Sequence, residues 1–197
     1  GVARPSDFGV DMMHLNLHKT MSTPHGGGGP GAGPICVTAE LAPWLPNPRV
    51  VPRNGRFELE NGPDSCGRLR GWHGNFLVLL RAWSYVRRLG AEGLRRVAEN
   101  AVLNANYLRV QVAQNWRIAF DRVCMHEFVV RPTLAMKEKD VHTLDVAKRL
   151  IELGFHPPTV YFPLVVSEAI MIEPTETESK ETLDAFAAAM AQIAREA

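Results

Sequence analysis

Apolar positions recur every second or third residue over residues 10–17 (VDMMHLNL) and then stop at His18-Lys19-Thr20, which predicts a short strand ending at a lysine. Residues 26–33 carry six glycines, a proline and an alanine, a composition that prevents ordinary helix and predicts an open loop. A return strand is expected over residues 35–38. Residues 43–74 are rich in Pro, Gly, Asn and Arg, which predicts an irregular surface excursion containing a hairpin at Asn54-Gly55. Residues 76–89 are apolar on nearly every side until Arg87 and Arg88, the pattern of a helix buried on most of its faces and ended by Gly90. Leu94, Val97, Ala98, Ala101, Val102, Ala105 and Leu108 then fall at helical spacing, so a long amphipathic helix should cover residues 91–114.

The second half alternates shorter elements. Strands are expected over residues 117–120 and 127–130, followed by a helix capped by Thr143, striped by Leu144, Ala147, Leu150 and Ile151, and closed by Gly154. Residues 159–162 and 169–172 read as further strands. A last helix begins near Ser179, with Leu183, Phe186, Ala187, Met190 and Ile193 on one face. This half reads as a small α/β domain.

With 197 residues and 46% apolar composition, the chain can bury a substantial core. Its 22 basic and 21 acidic residues are scattered, so there is no basic surface of the kind that neutralises nucleic-acid phosphates. The densest apolar run, residues 76–80, is cut by Arg81 and is too short to span a bilayer. Neither nucleic acid nor membrane is expected as a partner. Cys36, Cys66 and Cys124 are odd in number and widely spaced, which fits a reducing, cytoplasmic-type compartment better than a disulfide framework or a CxxC metal site. Gly1 stands where a start methionine would be, and the expectation is that the sequence begins inside a larger protein.

The chemistry concentrates in residues 14–31, HLNLHKTMSTPHGGGGPG. A Walker-type phosphate loop places its lysine after the glycines, at the start of a helix. Here Lys19-Thr20 precedes them, and Pro24 and Pro30 discourage helix, so nucleotide binding is disfavoured. A lysine at a strand end, held in a partly desolvated pocket, can lose its proton near neutral pH and form an imine with an aldehyde. By residue type alone, a solvated surface lysine is the commoner outcome.

The same segment resembles the lysine-bearing segment of the glycine cleavage P-protein family, including the histidine before the lysine and the four consecutive glycines. The resemblance continues through GNFLVLLRAWSYVRRLGAEGL (74–94), LNANYL (103–108), GFHPPTVYFPL (154–164) and IEPTETESKETLDAF (172–186), and so covers essentially the whole chain. It is most similar to the form of the family in which the catalytic half is a separate subunit. The resemblance implies an α/β, fold type I, aspartate-aminotransferase-like PLP-dependent transferase. Residues 1–104 would end the large PLP-binding domain and residues 105–197 would form the small carboxy-terminal domain.

It also implies pyridoxal 5′-phosphate as cofactor, Lys19 as its anchoring lysine and His18 as the catalytic neighbour. Thr20, His25, Gly26, Gly27, Gly28 and Gly29 would approach the cofactor, the glycines by letting backbone N–H groups near a phosphate or carboxylate. The implied reaction is PLP-dependent decarboxylation of glycine: CO2 is released, and the aminomethyl carbon passes to the lipoyl disulfide of H-protein, which is reduced. The implied partners are glycine, lipoylated H-protein, the amino-terminal part of the same subunit and the other P-protein subunit, in an oligomer. The alternatives are another type I PLP decarboxylase, or a non-catalytic interaction or folding module.

Other candidates carry less. His14 and His18 would share a strand face as a metal pair, but no third ligand follows at suitable spacing. His126-Glu127 lacks the second histidine of HExxH and reads as structural. His156 and Thr159 either line a substrate channel or belong to a proline-stiffened strand entry. Thr175 and Glu178 have capping-box spacing and read as helix initiation. Met21 replaces the aromatic usual in the family, and His73 a tyrosine, which puts in doubt any hydroxyl role at that position. Only 18 residues precede Lys19, whereas fold type I enzymes place the partners of the cofactor ring well upstream, so the pocket is expected to be incomplete within this chain.

Overall fold

In the computed structural model, which describes residues 1–25 and 31–197, the chain divides into two units, Gly1–Leu94 and Arg95–Ala197. The dividing point falls on the long helix, ten residues before the position at which the sequence reading drew it. In the first unit, β1 (Met12–His14) pairs antiparallel with β2 (Ile35–Val37). The strand expected over residues 10–17 is shorter than its apolar pattern because Leu15 N–H donates to Pro34 O at 2.9 Å and Pro34 has no N–H to return. The ladder closes the base of the loop that carries Lys19.

β3 (Arg49–Arg53) and β4 (Arg56–Glu60) form the expected hairpin, turned by Asn54 at φ 52° and Gly55 at φ 77°, the left-handed pair of a type I′ turn. α1 (Phe76–Val112) follows, broken at Gly90, where φ is 63° and ψ is −174°. Asn75 Oδ1 accepts the Leu77 N–H at 3.1 Å and so caps its first turn.

The expected burial of residues 76–89 is not found. Phe76, Leu77, Leu80 and Trp83 are exposed, and Ala82 alone on this stretch is buried. The apolar pattern reports that the surface requires a cover, and none of the described residues of this unit provides it. Leu17 and Ala82 are its buried hydrophobic residues, too few to offset the ordering of some ninety residues at roughly 1–2 kcal/mol each.

The second unit is closed around a core. β5 (Arg117–Ile118), β6 (Phe128–Arg131), β7 (Thr159–Val160) and β8 (Ile170–Ile172) form a four-stranded antiparallel sheet in the order β5-β6-β8-β7. Between β6 and β7 lie the short helix α2 (Leu134–Glu138) and α3 (Thr143–Glu152), and α4 (Lys180–Glu196) ends the chain. The strand alternation divides the apolar residues between two faces. Phe128, Val130, Ile170 and Ile172 join Leu108, Val112, Leu150, Leu183, Met190 and Ile193 in the main core, while Val129 packs with Val166 and Ala169 on the other side. Trp116 N–H donates to Met190 O at 2.9 Å, so the indole is buried without an unpaired polar atom.

Two caps differ from expectation. His142, not Thr143, precedes α3, and its N–H donates to the Asp145 carboxylate at 3.0 Å. Thr143 is the first helical residue and fully buried, and its hydroxyl donates to Glu168 O at 2.9 Å. Before α4, Ser179 Oγ accepts the Thr182 N–H, whereas Thr175 Oγ1 pairs with Thr177 Oγ1. Gly154 closes α3 as expected: its N–H reaches Ile151 O at 3.0 Å and the Phe155 N–H reaches Leu150 O at 2.9 Å. No helix of the described residues is long and apolar enough to cross a membrane, and the three cysteines are free.

Candidate active site

The loop between β1 and β2 turns back on itself immediately after Leu15. Lys19 N–H donates to Asn16 O at 3.1 Å, Ser22 N–H to Lys19 O at 3.3 Å and Thr23 N–H to Leu17 O at 3.3 Å. Leu17, buried at 5% exposure, is the apolar foot of this turn, and Lys19 stands exposed at its apex. The lysine is therefore in a turn five residues past the end of β1 rather than at the strand end. Nothing among the described residues covers the apex.

His18 and His25 meet edge to face, with ring centroids 4.6 Å apart and planes at 83°. Partial burial, then the neighbouring charges of His25, Lys19 and His14, push His18 below its ordinary imidazole value. Thr20 is exposed beside Lys19. Gly26, Gly27, Gly28 and Gly29, the glycines expected to approach a cofactor, lie outside the described residues. Where the loop returns, Gly33 packs so closely that a Cβ there would stand 2.3 Å from His14 Cε1 and 2.5 Å from Leu15 O. Met21 is half-buried in the lysine turn, and His73 is exposed in the turn before α1.

Two residues that sequence reading passed over belong to this site. Thr23 is 6% exposed, and neither its Oγ1 nor the buried Nδ1 of His18 has a hydrogen-bond partner among the described residues. Buried polar atoms are nearly always paired, and these two lie one residue before and four residues after Lys19 in sequence. The second residue, Arg81, donates from Nε to Ser22 O at 2.8 Å. Thr23 carries no sequence signal, since a loop hydroxyl next to proline is ordinary. Arg81 does carry one, as the charge that interrupts an otherwise apolar run.

The remaining candidates disperse. His14 pairs with Asn16 Oδ1 at 2.7 Å. His126 lies 3.9 Å from Glu127 and 3.8 Å from Glu173, a cluster where the paired central strands β6 and β8 begin and end. In the second unit, His156 lines a cavity of about 330 Å³ walled by Leu108, Phe155, Pro157, Pro158 and Phe186. Thr159 instead begins β7, so Pro157-Pro158 form the strand entry that the sequence allowed.

The family model for the glycine dehydrogenase C-terminal domain matches residues 97–197, just over half of the chain. The chain belongs to the glycine dehydrogenase family. A probable glycine dehydrogenase (decarboxylating) subunit 2 from Caldanaerobacter subterraneus subsp. tengcongensis is 59% identical over 198 residues, covering all of this chain and 41% of that protein. This member of the family thus spans about two-fifths of the length of the curated relatives it matches. Among solved structures, glycine decarboxylase (P-protein) of the glycine cleavage system, in inhibitor-bound form, superposes with a TM-score of 0.78 at 22% identity, over 98% of this chain and 45% of that one. A C-DES mutant with glycine covalently linked to its PLP cofactor matches with a TM-score of 0.63 at 13% identity, over 94% and 47%. These likenesses give the fold alone: α/β, that of part of a fold type I, aspartate-aminotransferase-like chain.

Proposed function

We propose that this chain is the carboxy-terminal part of a PLP-dependent glycine dehydrogenase (decarboxylating) and that Lys19 anchors the cofactor. The observation that carries the reading is the closed turn from Asn16 to Thr23, with Lys19 at its apex and two unpaired buried polar atoms, His18 Nδ1 and Thr23 Oγ1, beside it. A lysine amine for covalent attachment and polar atoms awaiting a partner are what a phosphorylated aldehyde cofactor requires, so the residues present fit it. Family membership and the fold support the same assignment.

When bound, PLP supplies an electron sink that lets glycine lose its carboxylate as CO2. Lys19 holds the cofactor covalently and must shed its proton to do so. His18, in which burial and neighbouring charges disfavour the imidazolium, has Nδ1 available to exchange a hydrogen bond with a bound group. Thr20, His25 and the glycines 26–29 complete the approach to the cofactor's polar groups. Because Lys19 is exposed among the described residues, the desolvation that lowers an amine's proton affinity is assigned to the rest of the full-length protein and its companion subunit. The aminomethyl carbon passes to the lipoyl disulfide of H-protein. The setting is an oligomer in a reducing, cytoplasmic compartment, a reading that the three free cysteines support.

The same exposure favours a second reading for these 197 residues in isolation: a folding and interaction module that binds PLP weakly and does not turn over glycine. The 197 residues alone separate the two, since turnover of glycine by them contradicts the second reading. The first is tested in the full-length protein carrying this sequence, where Lys19→Ala should abolish PLP-dependent exchange of CO2 with the glycine carboxyl, a loss of about a thousandfold or more. Exchange at more than a tenth of the unsubstituted rate contradicts the assignment.

A further inference from the structure

The lysine-bearing turn is not held by its own hydrogen bonds alone. Ser22 sits at φ 57°, in the left-handed region that a serine adopts only when its surroundings fix it. Its N–H is committed inward, to Lys19 O at 3.3 Å. Its carbonyl accepts the Nε–H of Arg81 at 2.8 Å, a bond across 59 residues from the second turn of α1. The helix therefore reaches the lysine's own backbone through two hydrogen bonds, Arg81 to Ser22 and Ser22 to Lys19. No other long-range hydrogen bond to the segment from Asn16 to Thr23 is found among the described residues. Arg81 interrupts a helical run of Phe, Leu, Val and Leu, and the hydrogen bond it makes among the described residues goes to this turn.

We propose that Arg81 is a positioning residue for Lys19: by fixing the Ser22 carbonyl it sets the turn in the one conformation that presents the lysine amine and the unpaired Thr23 and His18 atoms together. The proposal rests on the reading of Lys19 as the cofactor anchor. It assigns the work to the Nε–H donor and not to the guanidinium charge, which makes it separable by two substitutions. Arg81→Gln keeps an N–H donor at the same number of bonds from the backbone, whereas Arg81→Met keeps the stem and removes the donor.

The measurement is PLP affinity of the full-length protein by absorbance titration, together with the yield of pyridoxyl at Lys19 after borohydride reduction and the melting midpoint of each variant. Arg81→Met should weaken PLP binding about five- to tenfold, the scale of one ordinary lost hydrogen bond. Arg81→Gln should stay within about twofold of the unsubstituted protein. Unchanged PLP affinity in Arg81→Met, whether or not its melting midpoint falls, overturns the proposal. Equal weakening in both variants overturns it too, because the charge is then what matters. Should Arg81→Met not fold, Arg81→Glu sets an acceptor against the Ser22 carbonyl, and affinity equal to that of Arg81→Gln overturns the proposal. Absence of pyridoxyl at Lys19 in the unsubstituted protein is a distinct result, which removes the functional reading and the proposal with it.

Discussion

Gly33 leaves no room for a side chain where the lysine loop rejoins β2, because a Cβ would press on the Leu15 carbonyl and the His14 ring at once. Gly33→Ala should therefore cost about 1–3 kcal/mol and disturb the lysine turn, read as a lower urea midpoint together with weaker PLP binding in the full-length protein. Gly90 makes the opposite case. It has open space around it, yet its φ of 63° with an extended ψ is closed to residues with a side chain. Gly90→Ala should cost about 1–3 kcal/mol through the backbone alone, or straighten the helix, which circular dichroism would register as added helicity. At this scale the glycine break was legible, because Gly90 departs from its surroundings in residue type. Thr23 was not, since what distinguishes it is a buried hydroxyl without a partner among the described residues, a property of the fold and not of the residue.

Elements were legible where a period and a stop signal coincide. The Asn54-Gly55 hairpin and the helix from Ser179 follow from local chemistry that tertiary structure did not override. Thr143 misled because a threonine ahead of an apolar stripe is a common cap, while its actual partner, Glu168, is 25 residues away and invisible to local spacing. The same junction gives a pH prediction. Hydrogen bonding to Asp140, then the neighbouring Glu168, raises His142 above its ordinary 6.5 against partial desolvation. A raised value adds stability that is fully present below pH 6.5 and is lost as pH rises through the folded value, so the urea midpoint of the second unit should fall across that window and stay flat there in His142→Gln. On the acid side, Arg149 binds Glu196 through a two-pronged contact, 2.8 Å from both Nε and Nη2, and holds the carboxyl at about 2. That contribution is present above pH 4.5 and is lost as pH falls towards about 2, so Glu196→Gln should be less sensitive to acid over that range than the parent.

Across the whole molecule, the two units differ in what they bury. The second has helices on a sheet with a closed core, and residues 91–197 alone should unfold cooperatively in urea with a slope of about 1–1.5 kcal/mol/M. Residues 1–94 alone should exchange their amide protons within seconds and show no cooperative transition, because too little apolar surface is covered. The fold class was legible from the order of strands and helices and from the family resemblance. The exposure of Phe76, Leu77, Leu80 and Trp83 was not, because periodicity identifies an apolar face without identifying what lies on it. Lys19 belongs to this less covered half, and its chemistry is the central claim. The direct measurement is borohydride reduction of the full-length protein with PLP, followed by peptide mass spectrometry. The account requires stoichiometric pyridoxyl on Lys19, and pyridoxyl on a different lysine, or spread over several, contradicts it.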